Sequence, residues 1–199
     1  MQLVCLDLEG VLVPEIWIEF SERTGIEALR RTTRDEPDYD KLMRFRLGLL
    51  RERGLRMPDV QRVIADMRPL EGAAEFLERL RARYQVVILS DTFYEFAGPL
   101  MRQLGWPALF CNELELGADG YLNGYRLRMP DPKRAAVRAF LGLNFKVIAA
   151  GDSYNDTAML GAAHAGIFFR PPPAIAAQFP QFPVTQTYAE LESAIDAAA

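Results

Sequence analysis

The first fourteen residues, MQLVCLDLEGVLVP, constrain the fold more than any other stretch. A mostly apolar run leads into Asp7, and a second carboxylate, Glu9, comes two residues on, just before Gly10. An apolar run of this length, bounded by a glycine, predicts a buried strand. A strand buried on both faces belongs in a parallel sheet. Strand side chains alternate with period 2, so Asp7 and Glu9 point roughly the same way at its carboxyl end. Two crowded acids do nothing for folding. They make sense if a cation, or a charge developing in a reaction, sits between them.

The rest of the chain follows this lead in two parts. Residues 15 to 72 hold no convincing strand but three stretches with helical spacing: Glu15 to Arg23, Tyr39 to Arg53 and Pro58 to Met67. From Gly72 onward, helices alternate with short apolar runs. These runs are Val86 to Leu89, Ala108 to Cys111, Lys146 to Ala150 and Ile167 to Phe169. Turn signals at Gly117, Asp119-Gly120 and Asn123-Gly124 predict a hairpin between residues 113 and 128. Alternating strands and helices imply an α/β fold. The expected architecture is a Rossmann-like parallel sheet with helices on both faces, plus a small helical-bundle cap inserted after the first strand. Its catalytic core would be residues 1–14 and 73–199, and its cap 15–72. An insert in that position suits a lid over the strand ends.

Open sheets of this kind bind ligands at the carboxyl ends of their strands. Three apolar runs end in polar sets: Asp7 with Glu9, Ser90-Asp91-Thr92, and Asp152 with Asn155 and Asp156. If those strands are neighbours, the sets share one crevice. Asp7 and Asp152 can then ligate Mg²⁺, a hard cation that prefers oxygen. Ser90 can donate to a phosphate oxygen, and Asn155 can reach a substrate. Lys133 can neutralise phosphate and keep an attacking carboxylate ionised. Carboxylate nucleophile, metal and lysine together suit an aspartyl-phosphate intermediate. Taken singly, each residue has a plainer reading. Ser90, Thr92 and Asp131 could be helix N-caps, Asp156 a first-turn acid, and Lys133 a surface lysine. It is their joint occurrence at strand ends that points to a site.

Composition narrows the alternatives. A net charge of −4 argues against a nucleic-acid binder, and no apolar stretch is long enough to span a membrane. The N-terminus has no secretory signal pattern, so Cys5 and Cys111 are expected to be reduced thiols in a cytoplasmic protein. His164, the only histidine, leaves a serine–histidine hydrolase without a good candidate base. The chain uses 20 Arg but only 3 Lys, which singles out Lys41, Lys133 and Lys146.

The four motifs, in this order, resemble those of haloacid dehalogenase-type phosphatases. Within them the chain looks closest to the phosphoserine phosphatases, in particular the branch also described as phosphoserine:homoserine phosphotransferases. That resemblance rests on CLDLEGVLVPEIW, TTRDEPDYDKLM, VVILSDTFYEF and AAGDSYNDTAML. It implies Asp7 as nucleophile, and Glu9 as the general acid/base whose main-chain carbonyl also ligates the metal. It implies Asp152 as the acidic metal ligand with Asp156 supporting it, and Ser90 and Lys133 as the phosphate-binding pair. Glu15 would take the substrate ammonium, Arg46 the substrate carboxylate, and Asn155 would contact substrate. Glu9 stands where the family usually has Asp, and Asp91, counted with the substrate-binding residues, where it usually has Gly. The implied substrate is a small phosphomonoester, phosphoserine, with homoserine as a phosphoryl acceptor. Monomer and homodimer both remain open.

Overall fold

The computed structural model describes every residue except Thr33, Arg34 and Pro37, so that part of the TTRDEPDYDKLM stretch lies outside the described residues. Seven strands form one sheet in the order β4-β3-β2-β1-β5-β6-β7. The strands are β1 (Gln2–Leu6), β2 (Gln85–Phe93), β3 (Ala108–Leu116), β4 (Leu122–Arg126), β5 (Lys146–Gly151), β6 (Ala165–Phe169) and β7 (Val184–Thr185). All neighbouring pairs are parallel except β3 with β4, the predicted hairpin. Its turn uses Gly117 and Asp119-Gly120, but Asn123-Gly124 falls inside β4. β7 is only two residues long, too short for side-chain periodicity to announce it.

The period-2 alternation of β1 sorts the core. Val4 and Leu6 join Ile88, Ile148 and Ala150 on one face. Leu3 and Cys5 join Val87, Leu89, Val147 and Ala149 on the other. The first face carries the helices α4 (Ala73–Arg81), α5 (Tyr94–Gln103) and α9 (Tyr188–Ala198), through Phe76, Phe96, Leu191 and others. The second carries α6 (Pro132–Gly142) and α7 (Thr157–Ala162), through Val137, Met159 and Leu160. A short α8 (Pro173–Gln178) lies in the proline-rich segment. Among the described residues no helix is long and apolar enough to cross a membrane.

Between β1 and α4 the chain is helical, as the spacing predicts: α1 (Ile16–Thr24), a 3₁₀ turn (Glu27–Arg30), α2 (Tyr39–Glu52) and α3 (Met57–Ala65). Gly25 closes α1 in the left-handed conformation. The Asp38 carboxylate caps α2 by accepting from the Asp40 and Lys41 amides. Ile16, Phe20, Met43, Leu47, Val60 and Ile64 continue the apolar cluster of the first sheet face, so the insert shares that core. Its two ends meet where the Leu70 amide donates to the Leu12 carbonyl at 2.9 Å. The hairpin reaches up beneath it: the Met57 amide donates to the Gly120 carbonyl, and the Tyr125 hydroxyl to Asp40 at 3.0 Å.

Candidate active site

The strand order makes β2 and β5 the two neighbours of β1, and so brings the three polar sets into one crevice. The pairing of β1 with β5 extends one step past the strand, with the Asp7 amide donating to the Ala150 carbonyl at 2.9 Å. This fixes the Asp7 backbone beside Gly151 and Asp152. The Leu8 amide donates to Asp7 Oδ1 at 2.7 Å. The chain then coils tightly: the Leu12 and Val13 amides both donate to the Leu8 carbonyl, and Gly10 turns with φ 74°. A Cβ at Gly10 would collide with the Asp152 carboxylate, so glycine is required there by both conformation and space.

β2 does not stop at Leu89, where the apolar run ends. It continues through Phe93, with a register shift: Leu89 pairs with Phe110 and Phe93 with Asn112. Four steps along β2 match two along β3, so Ser90, Asp91 and Thr92 bulge out toward the crevice. The Thr92 amide donates to Ser90 Oγ at 3.2 Å. Helix α5 begins after the bulge with Phe93 as its N-cap and no side-chain cap, so neither Ser90 nor Thr92 serves that purpose. Asn112, which the sequence reading passed over, holds the bulge in place. Its Nδ2 donates to the Asp91 carbonyl at 3.0 Å, and its Oδ1 accepts from the Arg128 amide at 2.9 Å. A buried asparagine in an apolar strand was the available signal.

Beyond β5, a 3₁₀ turn (Tyr154–Asp156) precedes α7. Asp156 Oδ2 accepts from the Asp152 and Ser153 amides at 3.0 and 3.1 Å, so Asp156 shapes the loop that presents Asp152. Asp131 occupies the N-cap position of α6 without a side-chain cap bond, at φ 48°. Two residues on, Lys133 is only 3% exposed. Its Nζ lies 2.7 Å from Asp156 Oδ1, 2.9 Å from Asp7 Oδ1 and 3.5 Å from Asp91 Oδ2. Asn155 Nδ2 donates to Asp91 Oδ2 at 2.8 Å, so Lys133, Asp91 and Asn155 form one network.

The electrostatics follow from crowding. Asp7, Asp152 and Asp156 each place a carboxylate oxygen within 4.8 Å of the others, a group that could hold a metal ion. Burial raises Asp7 well above the usual carboxylate range, and the charges of Asp156 and Asp152 add to the rise against the opposing pull of Lys133. Asp152 is pushed up to about 7, mainly by burial and then by Asp156 and Glu15. Burial alone would lower Lys133, but Asp156, Asp7 and Asp91 override it and keep the ammonium charged. One lysine among four carboxylates leaves negative charge in excess. A divalent cation with oxygen ligands would relieve that excess.

Glu9 is held apart from this cluster. Its carboxyl is raised by burial and then by the neighbouring Glu15 carboxyl, while the nearby Thr92 hydroxyl and Ile16 amide act against the rise. A carboxyl whose affinity for its proton is raised in this way is suited to donate that proton to a leaving group. Arg46, on α2, is 7% exposed. One of its terminal nitrogens donates to the Arg31 carbonyl at 2.7 Å, and its guanidinium lies 4.6 Å over the Trp17 ring. Its Nε is the one buried side-chain polar atom without a hydrogen-bond partner among the described residues. Burial lowers its pKa, with Tyr39, Glu9 and Glu15 acting against the drop. The structure thus brings Asp7, Glu9, Glu15, Arg46, Ser90, Asp91, Lys133, Asp152 and Asn155 around one crevice. The neighbouring Arg44 is instead an exposed residue paired with Asp40 at 2.5 Å.

Residues 1–164 match the family model of haloacid dehalogenase-like hydrolases. The phosphoserine phosphatase ThrH of Pseudomonas aeruginosa is 61% identical over 192 residues, covering 96% of this chain and 94% of that protein. A phosphoserine phosphatase of Pseudomonas syringae pv. tomato is 59% identical, covering 96% of this chain and 81% of that one. Among solved structures, the fold matches a substrate-bound phosphoserine phosphatase complex with TM-score 0.77 at 19% identity, covering 98% and 97% of the two chains.

Proposed function

The chain belongs to the haloacid dehalogenase-like hydrolases, and from that premise we propose that it is a phosphoserine phosphatase that works through Asp7. One observation carries the reading. The buried Asp7 carboxylate and Lys133 meet at the strand ends, while Arg46, with an incompletely satisfied guanidinium, comes from the helical insert. Phosphate at one end and carboxylate at the other is the charge pattern of L-phosphoserine. The insert, residues 15–72, then acts as a cap hinged where Leu12 and Leu70 meet.

Asp7 attacks phosphorus in line and forms an aspartyl-phosphate. Lys133 and the Ser90 hydroxyl hold the phosphoryl oxygens. Glu9, beside Thr92 and the Ile16 amide, protonates the departing serine oxygen and then takes the proton of the attacking water. Arg46 binds the substrate carboxylate, Glu15 its ammonium, and Asn155 lies beside the crevice floor. Asp7, Asp152 and the main-chain carbonyl of Glu9 would hold Mg²⁺, with Asp156 shaping their loop. When bound, that ion supplies positive charge to the transferring group, the main demand of phosphoryl transfer. The acids outnumber the single nearby lysine, which supports a divalent cation here. The reading carries with it a cytoplasmic enzyme.

Phosphate release from L-phosphoserine with Mg²⁺, and its loss in EDTA, test the reading. Equal release from phosphomonoesters lacking the amino-acid head would overturn the substrate assignment. A second reading, transfer to homoserine, is supported by Asp91. Its carboxylate is 44% exposed in the crevice beside Asn155, where it can receive a second ammonium group. Supplying homoserine with phosphoserine should then yield phosphohomoserine, and inorganic phosphate alone would count against transfer.

A further inference from the structure

We infer that Trp17 is a positioning residue for substrate recognition, acting through Arg46; the inference rests on the carboxylate-binding role proposed for that arginine. The guanidinium carbon lies over the Trp17 ring, 4.6 Å from its centroid. A cation–π contact of this kind holds the guanidinium without supplying a carbonyl or carboxylate acceptor for its N–H groups. Of the five N–H groups, one is committed to the Arg31 carbonyl, and the Nε–H has no partner. Leaving a buried donor unpaired is unfavourable. The ring therefore holds the arginine in a pose that folding alone does not reward and that an arriving carboxylate would complete.

The ring is itself fixed from the core side. Trp17 meets Phe96 edge-on at 5.0 Å and 64°, and Phe20 at 6.5 Å and 69°. Phe96 stands in the first turn of α5, just after the Ser90–Thr92 bulge. Phe96 in turn packs edge-on against Phe93, the residue that ends the bulge. The aromatic chain Phe93–Phe96–Trp17 thus links the phosphate end of the crevice to the arginine in the insert. Trp17 sets the distance between the two ends, which selects for a phosphomonoester whose carboxylate lies at that distance.

The test compares phosphoserine with phosphoethanolamine, which lacks the carboxylate, following the latter as a substrate or as a competitive inhibitor. In Trp17→Leu the preference for phosphoserine should fall about tenfold, the size expected of a desolvated cation–π contact. The loss should appear in KM more than in kcat. Trp17→Phe keeps a stacking face and should retain most of the preference. A merely structural tryptophan would weaken both ligands equally in Trp17→Leu, and that result overturns the proposal. Arg46→Met run alongside separates the two claims. If it discriminates between the ligands while Trp17→Leu does not, only the Trp17 inference fails. If Arg46→Met shows no discrimination, the carboxylate reading fails and the inference falls with it.

Discussion

Among the described residues two cations, Lys133 and Arg46, are buried beside one crevice, and the molecule treats them in opposite ways. Lys133, on the sheet side, is surrounded by Asp156, Asp7 and Asp91 within 3.5 Å. Arg46, on the insert side, is nearly as buried but has one carbonyl, one aromatic face and an unpaired Nε. The lysine is part of a network completed by the fold itself, so its position is set before any ligand arrives. The arginine is held against an aromatic ring and left electrostatically incomplete. A binding site needs both kinds of group: preorganised charge where the reaction occurs, and unsatisfied charge where a ligand should add stability by binding.

Breaking the sheet-side network should give the largest effects. Asp7→Asn removes the nucleophile but can still accept the Leu8 amide, so folding should persist while phosphate release falls by more than about 10⁴-fold. Near-native turnover in that variant would sink the aspartyl-phosphate mechanism. Lys133→Met leaves several carboxylates buried without their cation. Chemical denaturation of the metal-free protein should show a loss of about 3–5 kcal/mol.

The insert-side arginine should respond in the contrary sense. Arg46→Met removes a cation with incomplete partners, so stability should hold or rise, while kcat/KM for phosphoserine falls on the order of 10²–10³-fold. A stability loss as large as that of Lys133→Met would erase the distinction between the two cations.

The smallest expected effect concerns pH. The folded-state pKa of Asp152, about 7, lies above its ordinary 3.8. Its contribution to stability is therefore fully present below pH ~4 and is lost as pH rises through about 7. In EDTA, Asp152→Asn should match the wild-type Tm near pH 4 and exceed it by a few degrees at pH 8, the scale of ~1 kcal/mol in a chain this long. Mg²⁺ should close that gap by stabilising the wild type alone, and thermal melts at the two pH values decide the matter.

How much of this was legible in the sequence varies with the range of the interaction. Asp7, Lys133 and Asp152 could be read because apolar runs and helix starts are local patterns, and the crevice follows once strands end in polar residues. The bulge at Ser90–Thr92 could not, because it depends on how β2 registers against β3, including Asn112, about twenty residues away. Thr92 therefore read as a helix cap, whereas it faces Glu9. Trp17 read only as part of an amphipathic helix, since its partners Arg46 and Phe96 come from other helices.

The sequence by itself determined the class of fold, the helical insert and the kinds of groups at each strand end, because hydrophobic periodicity and turn chemistry act over a few residues. Only the tertiary structure decided which charges meet. It gave Lys133 three carboxylates, set Glu9 against Glu15 and Thr92, and left Arg46 unfinished. Burial and distance fix electrostatic energies, and both are properties of chain segments brought together from far apart in the sequence.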